Sequence, residues 1–439
     1  MFQLDEEQRL ILQSVREIVQ KEIKPRETDL DETGQFPWET VRILAENDIL
    51  NALLPRRYGG PEVSFFTFSM IIEEISKASA SSALLLITQA EGMLPIALGT
   101  NESLKEKYLS RLAGASWVLT SMGGINPSLH LSPVSSGIRA DLLGGKYLLN
   151  GKRCFIRNGS IADFLVLYAC TAPSEEEKDV NPVRNSSGPS PRRSGFGHAG
   201  GALNPALGGG TPYGAEPGII LKCNPATEQR GIISNGVIAF VVEKGNPGLV
   251  LRRDENRMGM RGSIYSEMDL ENLEVPGENR IDSEGEGFLN MMKTLSLSRL
   301  FTAAQAVGLA KGAMDEAISY ARKRIQFGKP ISHHGQIQFM IADMATGIES
   351  ARLLTYQTAM LFDQGEWKKA ETVSAMAKLM ASDTAMKAAT DAVQIMGGYG
   401  YMKDYSVERM MRDAKLIQID SGTNQMMKLI IGRELTGVS

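Results

Sequence analysis

One carboxylate in the first quarter of the chain lies in a segment that would separate it from water. Glu91 has neighbours that are mostly apolar or small, in the stretch ITQAEGMLPI. Burial disfavours the charged form of a carboxyl group and raises its pKa towards neutral pH, where a general base works best. The segment therefore makes Glu91 a candidate for acid–base chemistry. The alternative is a solvent-facing or hydrogen-bonded helix carboxylate.

Two other segments are suited to a ligand that combines an anionic and an aromatic part. Arg324, in RIQFGK, can offer a bidentate fork to a diphosphate, and Phe327 supplies an apolar surface beside it. Gly397 and Gly398, in QIMGGYG, let a backbone approach a ligand without a Cβ clash. For Arg324 the alternative is a cation that satisfies carbonyl groups at a helix end.

Composition excludes several classes of protein. The 439 residues are enough for two or three domains, and 47 Lys and Arg against 51 Asp and Glu indicate no basic patch for nucleic acid or an anionic membrane. Cys154, Cys170 and Cys223 have no metal-ligand spacing, so neither a disulfide framework nor a metal site is expected. No apolar run approaches the roughly 20 residues of a membrane helix, and the N-terminus lacks a secretion signal. We expect a soluble, cytoplasmic protein.

Hydrophobic spacing predicts helices, then strands, then helices. Asp5 and Gln8 form a capping pair for a first helix that ends near Pro25, and further helices are predicted at about 38–50, 63–83 and 84–113. Strands are predicted from about 117, and helical spacing returns after about 284. The strands are expected at 146–152, 164–170, 237–242 and 268–270.

These changes of pattern predict three domains, at 1–115, 116–283 and 284–439. An insertion at about 174–235 interrupts the middle domain and is rich in Gly, Pro, Ser and Asn between 181 and 218. A segment with so few apolar residues cannot recover its ordering entropy by packing. We expect a mobile surface insertion, with a lid or a partner-binding segment as the alternative.

Three motifs, in order, resemble the acyl-CoA dehydrogenase family. They are RIQFGK, QIMGGYG and the C-terminal stretch KLIQIDSGTNQ, which resembles the family's active-site segment. The resemblance implies a mainly α fold with a central β domain: an N-terminal helical domain, a β-barrel-like middle domain and a C-terminal four-helix bundle. It also implies a homotetramer with FAD at a subunit interface and electron transfer to electron-transferring flavoprotein.

The resemblance assigns residues to FAD. By position, the ADP half of a neighbouring subunit's FAD would be held by Arg324, Phe327, Gln394, Gly397 and Gly398. The same resemblance places Thr423 and Gln425 in contact with FAD, Thr120 at the flavin pyrimidine edge and Phe155 against the isoalloxazine.

Two segments depart from the family pattern. After Thr120 the usual TEPGxGS continuation is replaced by SMGGIN, which removes the residues that normally contact CoA there. Arg157 replaces the Thr that contacts flavin N5, the atom that accepts the hydride. If the Arg157 side chain points inward, its positive charge would stabilise anionic reduced flavin. The alternative is that this side chain turns to solvent. Elsewhere Arg299 and Arg433 match family arginines near the thioester and CoA, although Arg433 is also explained as a last-turn helix cation.

Both positions that hold the catalytic base in this family are hydroxyls. Ser421, beside Gly422 in the substrate site, stands where a Glu normally takes the substrate α-proton, and Ser298 occupies the other base position. A serine hydroxyl is far too weak a base for this step. Glu91, on the helix that forms the distal wall of the acyl pocket, is the favoured replacement, and Asp420 is the second.

The position of Glu91 favours an unusual substrate. A distal base suits the γ-proton of a 1-ene thioester, which is acidified through the conjugated double bond. The cyclohex-1-ene-1-carboxyl-CoA dehydrogenases resemble this pattern, with a distal-wall Asp in place of the usual Glu. The sequence thus predicts an FAD-dependent dehydrogenase of a cyclic or conjugated acyl-CoA. The alternatives are α,β-dehydrogenation of a short or branched acyl-CoA by Asp420, and a catalytically silent acyl-CoA-binding flavoprotein.

Overall fold

The N-terminal region of the computed structural model is helical, as predicted. The structure describes residues 4–114, 117–123, 137–171, 236–283 and 285–438, so the predicted insertion and Cys223 lie outside the described residues. The capping pair is confirmed, because the Gln8 amide donates to Asp5 Oδ1 at 2.8 Å and the Asp5 amide to Gln8 Oε1 at 3.2 Å. The helices of this region are α1 (Glu6–Ile18), α2 (Glu27–Thr33), α3 (Trp38–Glu46), α4 (Phe65–Ser76), α5 (Ala80–Leu98) and α6 (Glu102–Leu109).

The predicted boundary at 83 was wrong, and so was the prediction of one continuous helical stretch over 84–113. The break lies at 77–79, where the Ser79 hydroxyl accepts the Ser82 amide at 2.9 Å and starts α5. The helix then ends at Leu98, and α6 starts anew at Glu102. A side-chain cap supplies a partner for an amide that the helix leaves unpaired, and it therefore decides where a continuous apolar pattern is divided.

Helix α5 carries Glu91 and is a core helix. Every residue from 80 to 96 is buried. At 19 residues with a mean hydropathy of 1.3, α5 is the one helix in the described ranges long and apolar enough to cross a membrane. This corrects the expectation that no apolar run approaches membrane length. However, 89% of its apolar window is buried inside the molecule, as in the core helix of a folded domain.

The predicted central strands form a mixed sheet. Its seven strands in the described chain are β1 (Thr120–Met122), β2 (Ile138–Leu143), β3 (Lys146–Arg157), β4 (Phe164–Thr171), β5 (Val237–Glu243), β6 (Leu249–Asp254) and β7 (Tyr265–Pro276). They are ordered β1-β4-β2-β3-β7-β6, with β5 paired to β4. Strand β3 pairs with β7 in antiparallel fashion, and its register shifts between Arg153 and Ile156. The shift leaves Phe155 exposed and turns Arg157 inward.

The C-terminal region is helical, and its first helix connects it to the N-terminal helices. Gly308 on that helix lies so close to the Glu73 carbonyl of α4 that a Cβ atom would collide with it. The elements follow one another as helices, strands and helices, so the predicted order is confirmed. The C-terminal helices are α7 (Gly287–Lys323), α8 (Gly335–Asp363), α9 (Trp367–Met396), α10 (Ser406–Ile417) and α11 (Asn424–Thr436), with a short hairpin of β8 (Ile325–Gln326) and β9 (Lys329–Pro330) after α7.

Two carboxylates are buried where α2 meets α10. Glu27 lies 3.8 Å from Arg409, a distance too long to offset its desolvation, and burial raises the pKa of Glu27 to about 8. Burial also raises the pKa of Asp413 to about 6, although its carboxylate accepts the Met260 amide. The folded protein therefore binds a proton at Glu27 more tightly than the unfolded chain does.

This arrangement predicts a stability that falls as pH rises. The unfolded pKa of Glu27 is near 4.5 and the folded one near 8, so its contribution is present below 4.5 and is lost as pH rises towards 8. We expect Glu27→Gln to reduce the drop in melting temperature between pH 6 and pH 8 by about 3 °C. Glu32→Gln, an exposed change on the same helix, should keep the wild-type drop. An equal drop in all three proteins would contradict the prediction.

Candidate active site

A cavity of about 780 Å³ lies where the N-terminal helices, the sheet and the C-terminal helices meet. Its wall combines α5, β3, β7, α7 and the chain that follows α10. Several predicted site residues, far apart in sequence, come together here. The predicted site residues that line it are Glu91, Phe155, Arg157, Asp420, Ser421 and Gly422. Ser298 and Tyr265 line it as well.

Arg157 points inward and lies between two carboxylates. Its Nη1 atom is 2.8 Å from Glu91 Oε2, and its Nη2 atom is 3.1 Å from Asp420 Oδ1. Burial opposes the charged guanidinium, but Asp420 and Glu91 outweigh that effect and raise the pKa of Arg157. The alternative in which this side chain turns to solvent is therefore wrong, because only 10% of it is exposed.

Glu91 is buried, which excludes the solvent-facing alternative. One of its oxygens faces Arg157, and the other accepts a hydrogen bond from the Ser298 hydroxyl. Burial raises the pKa of Glu91, whereas Arg157 and Ser298 act in the opposite direction because they favour the carboxylate. Glu91 is thus a desolvated carboxyl group whose partners favour its charged form, and the alternative of a hydrogen-bonded helix carboxylate stays open.

Asp420 is held by more groups than Glu91. Its Oδ2 atom accepts the Tyr265 hydroxyl at 2.9 Å, and its Oδ1 atom accepts the Ser421 amide at 2.8 Å in addition to Arg157. Burial, and then Asp420, raise the pKa of Tyr265, which keeps this hydroxyl a donor. Tyr265 was not predicted as a site residue, since a single tyrosine at a strand start carries no signal of its own.

Helix α5 is held directly against strand β1, and this contact involves Thr120. The Thr120 hydroxyl donates to the Gln89 carbonyl at 2.9 Å, and its amide donates to Gln89 Oε1 at 3.0 Å. The hydroxyl hydrogen is therefore committed to α5. The flavin contact predicted for Thr120 stays a prediction, and it would have to use the lone pairs of the oxygen.

A buried lysine holds the loop that carries Asp420 and Ser421. Lys378 on α9 donates to the carbonyls of Gln418 at 3.2 Å and Gly422 at 2.7 Å, and to Asn424 Oδ1 at 2.8 Å. Three acceptors require the three hydrogens of an ammonium group. Burial nevertheless lowers the pKa of Lys378 to about 7. Lys378 was not predicted as a site residue, because a lysine in a helical pattern normally faces water.

Removing this ammonium group should loosen the loop. We expect Lys378→Met to destabilise the protein by about 3 kcal/mol, because it leaves three buried acceptors without a donor. Thermal melting curves would measure the loss. Lys387→Met, an exposed change on the same helix, is the matched control. Equal melting temperatures for the two variants would show that Lys378 does not support the loop.

A second cavity, of about 700 Å³, contains the predicted diphosphate residues. Arg324, Phe327, Gly397 and Gly398 all line it. Phe327 is 92% exposed at a φ of 52°, and Gly397 has a φ of 58° with a ψ of −135°, a conformation that only glycine adopts readily. A Cβ atom at Gly398 would meet nothing, so the backbone there is open to a ligand.

Five other predicted residues do not line either cavity within the described parts of the chain. Gln394 and Gln425 are exposed on α9 and α11, and the Thr423 hydroxyl caps α11 by accepting the Met426 amide at 3.3 Å. Arg299 is fully buried on α7, where burial lowers its pKa to about 10. Arg433 is half-buried in the last turn of α11. Their predicted ligand contacts remain predictions.

Comparison with known proteins identifies the family. Residues 5–116 match the model of the acyl-CoA dehydrogenase N-terminal domain, and residues 285–436 match that of the C-terminal domain. The chain belongs to the acyl-CoA dehydrogenase family. The enzyme is therefore an FAD-dependent oxidoreductase with the fold that its motifs predicted, and both the fold and the cofactor are confirmed.

Full-length relatives and a solved structure support this assignment. The enzyme is 46% identical to cyclohex-1-ene-1-carbonyl-CoA dehydrogenase of Geobacter metallireducens, with 99% of each chain covered. It is 42% identical to the protein of the same name from Syntrophus aciditrophicus, over 99% of this chain and 91% of the relative. Butyryl-CoA dehydrogenase from Megasphaera elsdenii superposes with a TM-score of 0.81 at 30% identity, covering 99% of this chain and all of the other.

The residues of both cavities fit FAD. Phe155, 61% exposed at a φ of 61°, offers an aromatic face to a flat ring system, and Phe327 does the same in the second cavity. Exposed aromatic rings held in this conformation are suited to a ligand that covers them. Arg324, whose guanidinium lies 5.4 Å from the Tyr399 ring centre, supplies the positive charge for a diphosphate.

Proposed function

We propose that this enzyme dehydrogenates a cyclic, conjugated acyl-CoA of the cyclohex-1-ene-1-carboxyl type, with Glu91 as the base. The observation that carries the proposal is the placement of Glu91. It is a buried carboxylate on the cavity wall, hydrogen-bonded to Ser298, and Ser298 is itself bonded to Ser421. The residue at one usual base position thus contacts the carboxylate that would replace it, and the residue at the other is linked to that carboxylate through Ser298.

The chemistry of the substrate explains why the base is moved. In a 1-ene thioester the γ-proton is acidic because the carbanion is delocalised through the double bond to the thioester carbonyl. A base away from the α-carbon can take this proton, while bound FAD would supply the acceptor for the hydride that leaves another ring carbon. Arg157 stabilises the carboxylate of Glu91 before the transfer and remains paired with Asp420 afterwards. The names of the two relatives support the same substrate class.

Asp420 is less suited to proton abstraction. Tyr265, Arg157 and the Ser421 amide already donate to its two oxygens. Each of these hydrogen bonds would have to rearrange before an oxygen of Asp420 could take a substrate proton. Asp420 therefore serves to hold Arg157 and the loop, and α,β-dehydrogenation by Asp420 is the weaker alternative.

A panel of substrates tests the proposal. Anaerobic mixing with cyclohex-1-ene-1-carboxyl-CoA should bleach the flavin absorbance much faster than mixing with cyclohexane-1-carboxyl-CoA or butyryl-CoA. Faster bleaching by either saturated thioester would favour the α,β reaction. Acyl-CoA binding without bleaching by any of the three would favour the silent flavoprotein. Product analysis by mass spectrometry would identify the diene.

The two cavities support an assembly of subunits. They share no lining residue, and Arg324 and Phe327 lie at the end of α7 rather than beside Phe155. This separation supports one FAD per subunit held across a subunit interface in a homotetramer, with electrons passing to electron-transferring flavoprotein. We expect Arg324→Ala to lower FAD retention and weaken the tetramer together, as measured by absorbance and size-exclusion chromatography. A variant monomer that retains full FAD would contradict this arrangement.

A further inference from the structure

Three buried hydroxyl groups form a continuous chain that ends on Glu91. The Thr302 Oγ1 and Ser421 Oγ atoms are 2.8 Å apart, and Ser421 Oγ is 2.8 Å from Ser298 Oγ. Ser298 then donates to Glu91 Oε1. Ser298 and Thr302 lie one turn apart on α7, and Ser421 inserts between them from the opposite loop.

Hydrogen counting gives the chain a direction. A carboxylate has no hydrogen, so Ser298 must donate its only hydroxyl hydrogen to Glu91. Ser298 can then only accept from Ser421. Because its own hydrogen is also used, Ser421 acts as an acceptor towards Thr302, as it does towards Arg157 Nη2 at 3.5 Å. With Glu91 ionised, all three hydroxyl hydrogens therefore point towards the carboxylate.

We propose that Thr302 is a positioning residue for catalysis, which acts through Ser421 and Ser298 to hold Glu91 as a fixed carboxylate. The inference rests on the proposed role of Glu91 as the base. Hydrogen bonds in a chain polarise one another, so the donation from Thr302 strengthens the donation from Ser298. The serines at the former base positions thereby support the relocated base, and Thr302 completes the support.

Few other charges act on Glu91. Helix α5 carries no other charged residue. From the elements packed against it, β3 contributes Arg157 and the loop after α10 contributes Asp420. Tyr265 of β7 acts on Asp420 and Arg157. All of these groups are unchanged when Thr302 is replaced, which isolates the effect of the hydroxyl chain.

The test measures the protonation of Glu91 directly. Infrared difference spectra of the FAD-loaded enzyme, recorded across pH, report the carboxyl stretch, and Glu91→Gln supplies the blank. We expect Ser298→Ala to raise the titration midpoint of Glu91 by about one pH unit, because a hydrogen bond to a charged group is lost. Thr302→Val should move the midpoint in the same direction by a smaller amount. Thr302→Ser, which retains the hydroxyl, should keep the wild-type midpoint.

Controls separate this effect from a general loss of packing. Thr355→Val makes the same substitution at a buried helical site, where the hydroxyl bonds only its own helix carbonyl, and should leave the midpoint unchanged. If Thr302→Val does not fold, Ser421→Gly, which suits the φ of 53° at that residue, must raise the midpoint instead. A wild-type midpoint in Thr302→Val, or in Ser421→Gly where that variant is needed, would overturn the proposal. Rapid flavin reduction by Glu91→Gln would refute only the base assignment.

Discussion

Replacing Glu91 with Gln is expected to slow flavin reduction by cyclohex-1-ene-1-carboxyl-CoA by roughly two to four orders of magnitude, the contribution of a positioned general base. The amide is nearly isosteric with the carboxylate and can still accept from Ser298, so FAD and acyl-CoA binding should be retained. Stopped-flow absorbance under anaerobic conditions would measure the rate. Equilibrium titration with the thioester would check the binding.

Asp420→Asn is the control for this prediction. It removes a charge of the same sign from the same cavity, and it leaves Glu91 with Ser298 and Arg157. A much smaller loss of rate is expected. If Glu91→Gln reduces flavin as fast as wild type while Asp420→Asn abolishes reduction, Asp420 is the base and the substrate class must be reconsidered.

Replacing Ser421 with Glu should exchange one reaction for another. The side chain at 421 occupies the family position of the α-carbon base, so α,β-dehydrogenation of cyclohexane-1-carboxyl-CoA should rise at least tenfold as a general base becomes available. Activity with the cyclohexene thioester should fall. The new carboxylate removes the hydroxyl that donates to Ser298, and its charge opposes ionisation of Glu91.

Ser421→Gln separates charge from size. It introduces a side chain of the same length without a basic group, so it should lower the cyclohexene activity and add no activity on the saturated thioester. Rates with both substrates, measured for the two variants, give four comparisons. A gain on the saturated thioester in Ser421→Gln would show that cavity shape, and not the base, limits the α,β reaction.

Local motifs were sufficient to determine the family, the cofactor and the order of helices and strands. RIQFGK and QIMGGYG require particular residue types for a local reason: a guanidinium for a diphosphate and glycine where the backbone has a positive φ. The absence of a carboxylate at 421 and 298 was equally visible, because each position is defined by its neighbours in sequence. The burial of Glu91 followed from its apolar neighbours.

Only the tertiary structure decided how these residues act together. It turned Arg157 inward between Glu91 and Asp420, brought Tyr265 onto Asp420, and placed the ammonium group of Lys378 under the loop. It also joined Ser298, Ser421 and Thr302 into one chain. These contacts connect residues that lie 44 to 263 positions apart in the sequence, and hydrogen bonds depend on distances of a few tenths of an ångström. Local spacing determines which face of a helix or strand is buried, whereas the packing of α5, β3 and α7 determines which side chains meet there.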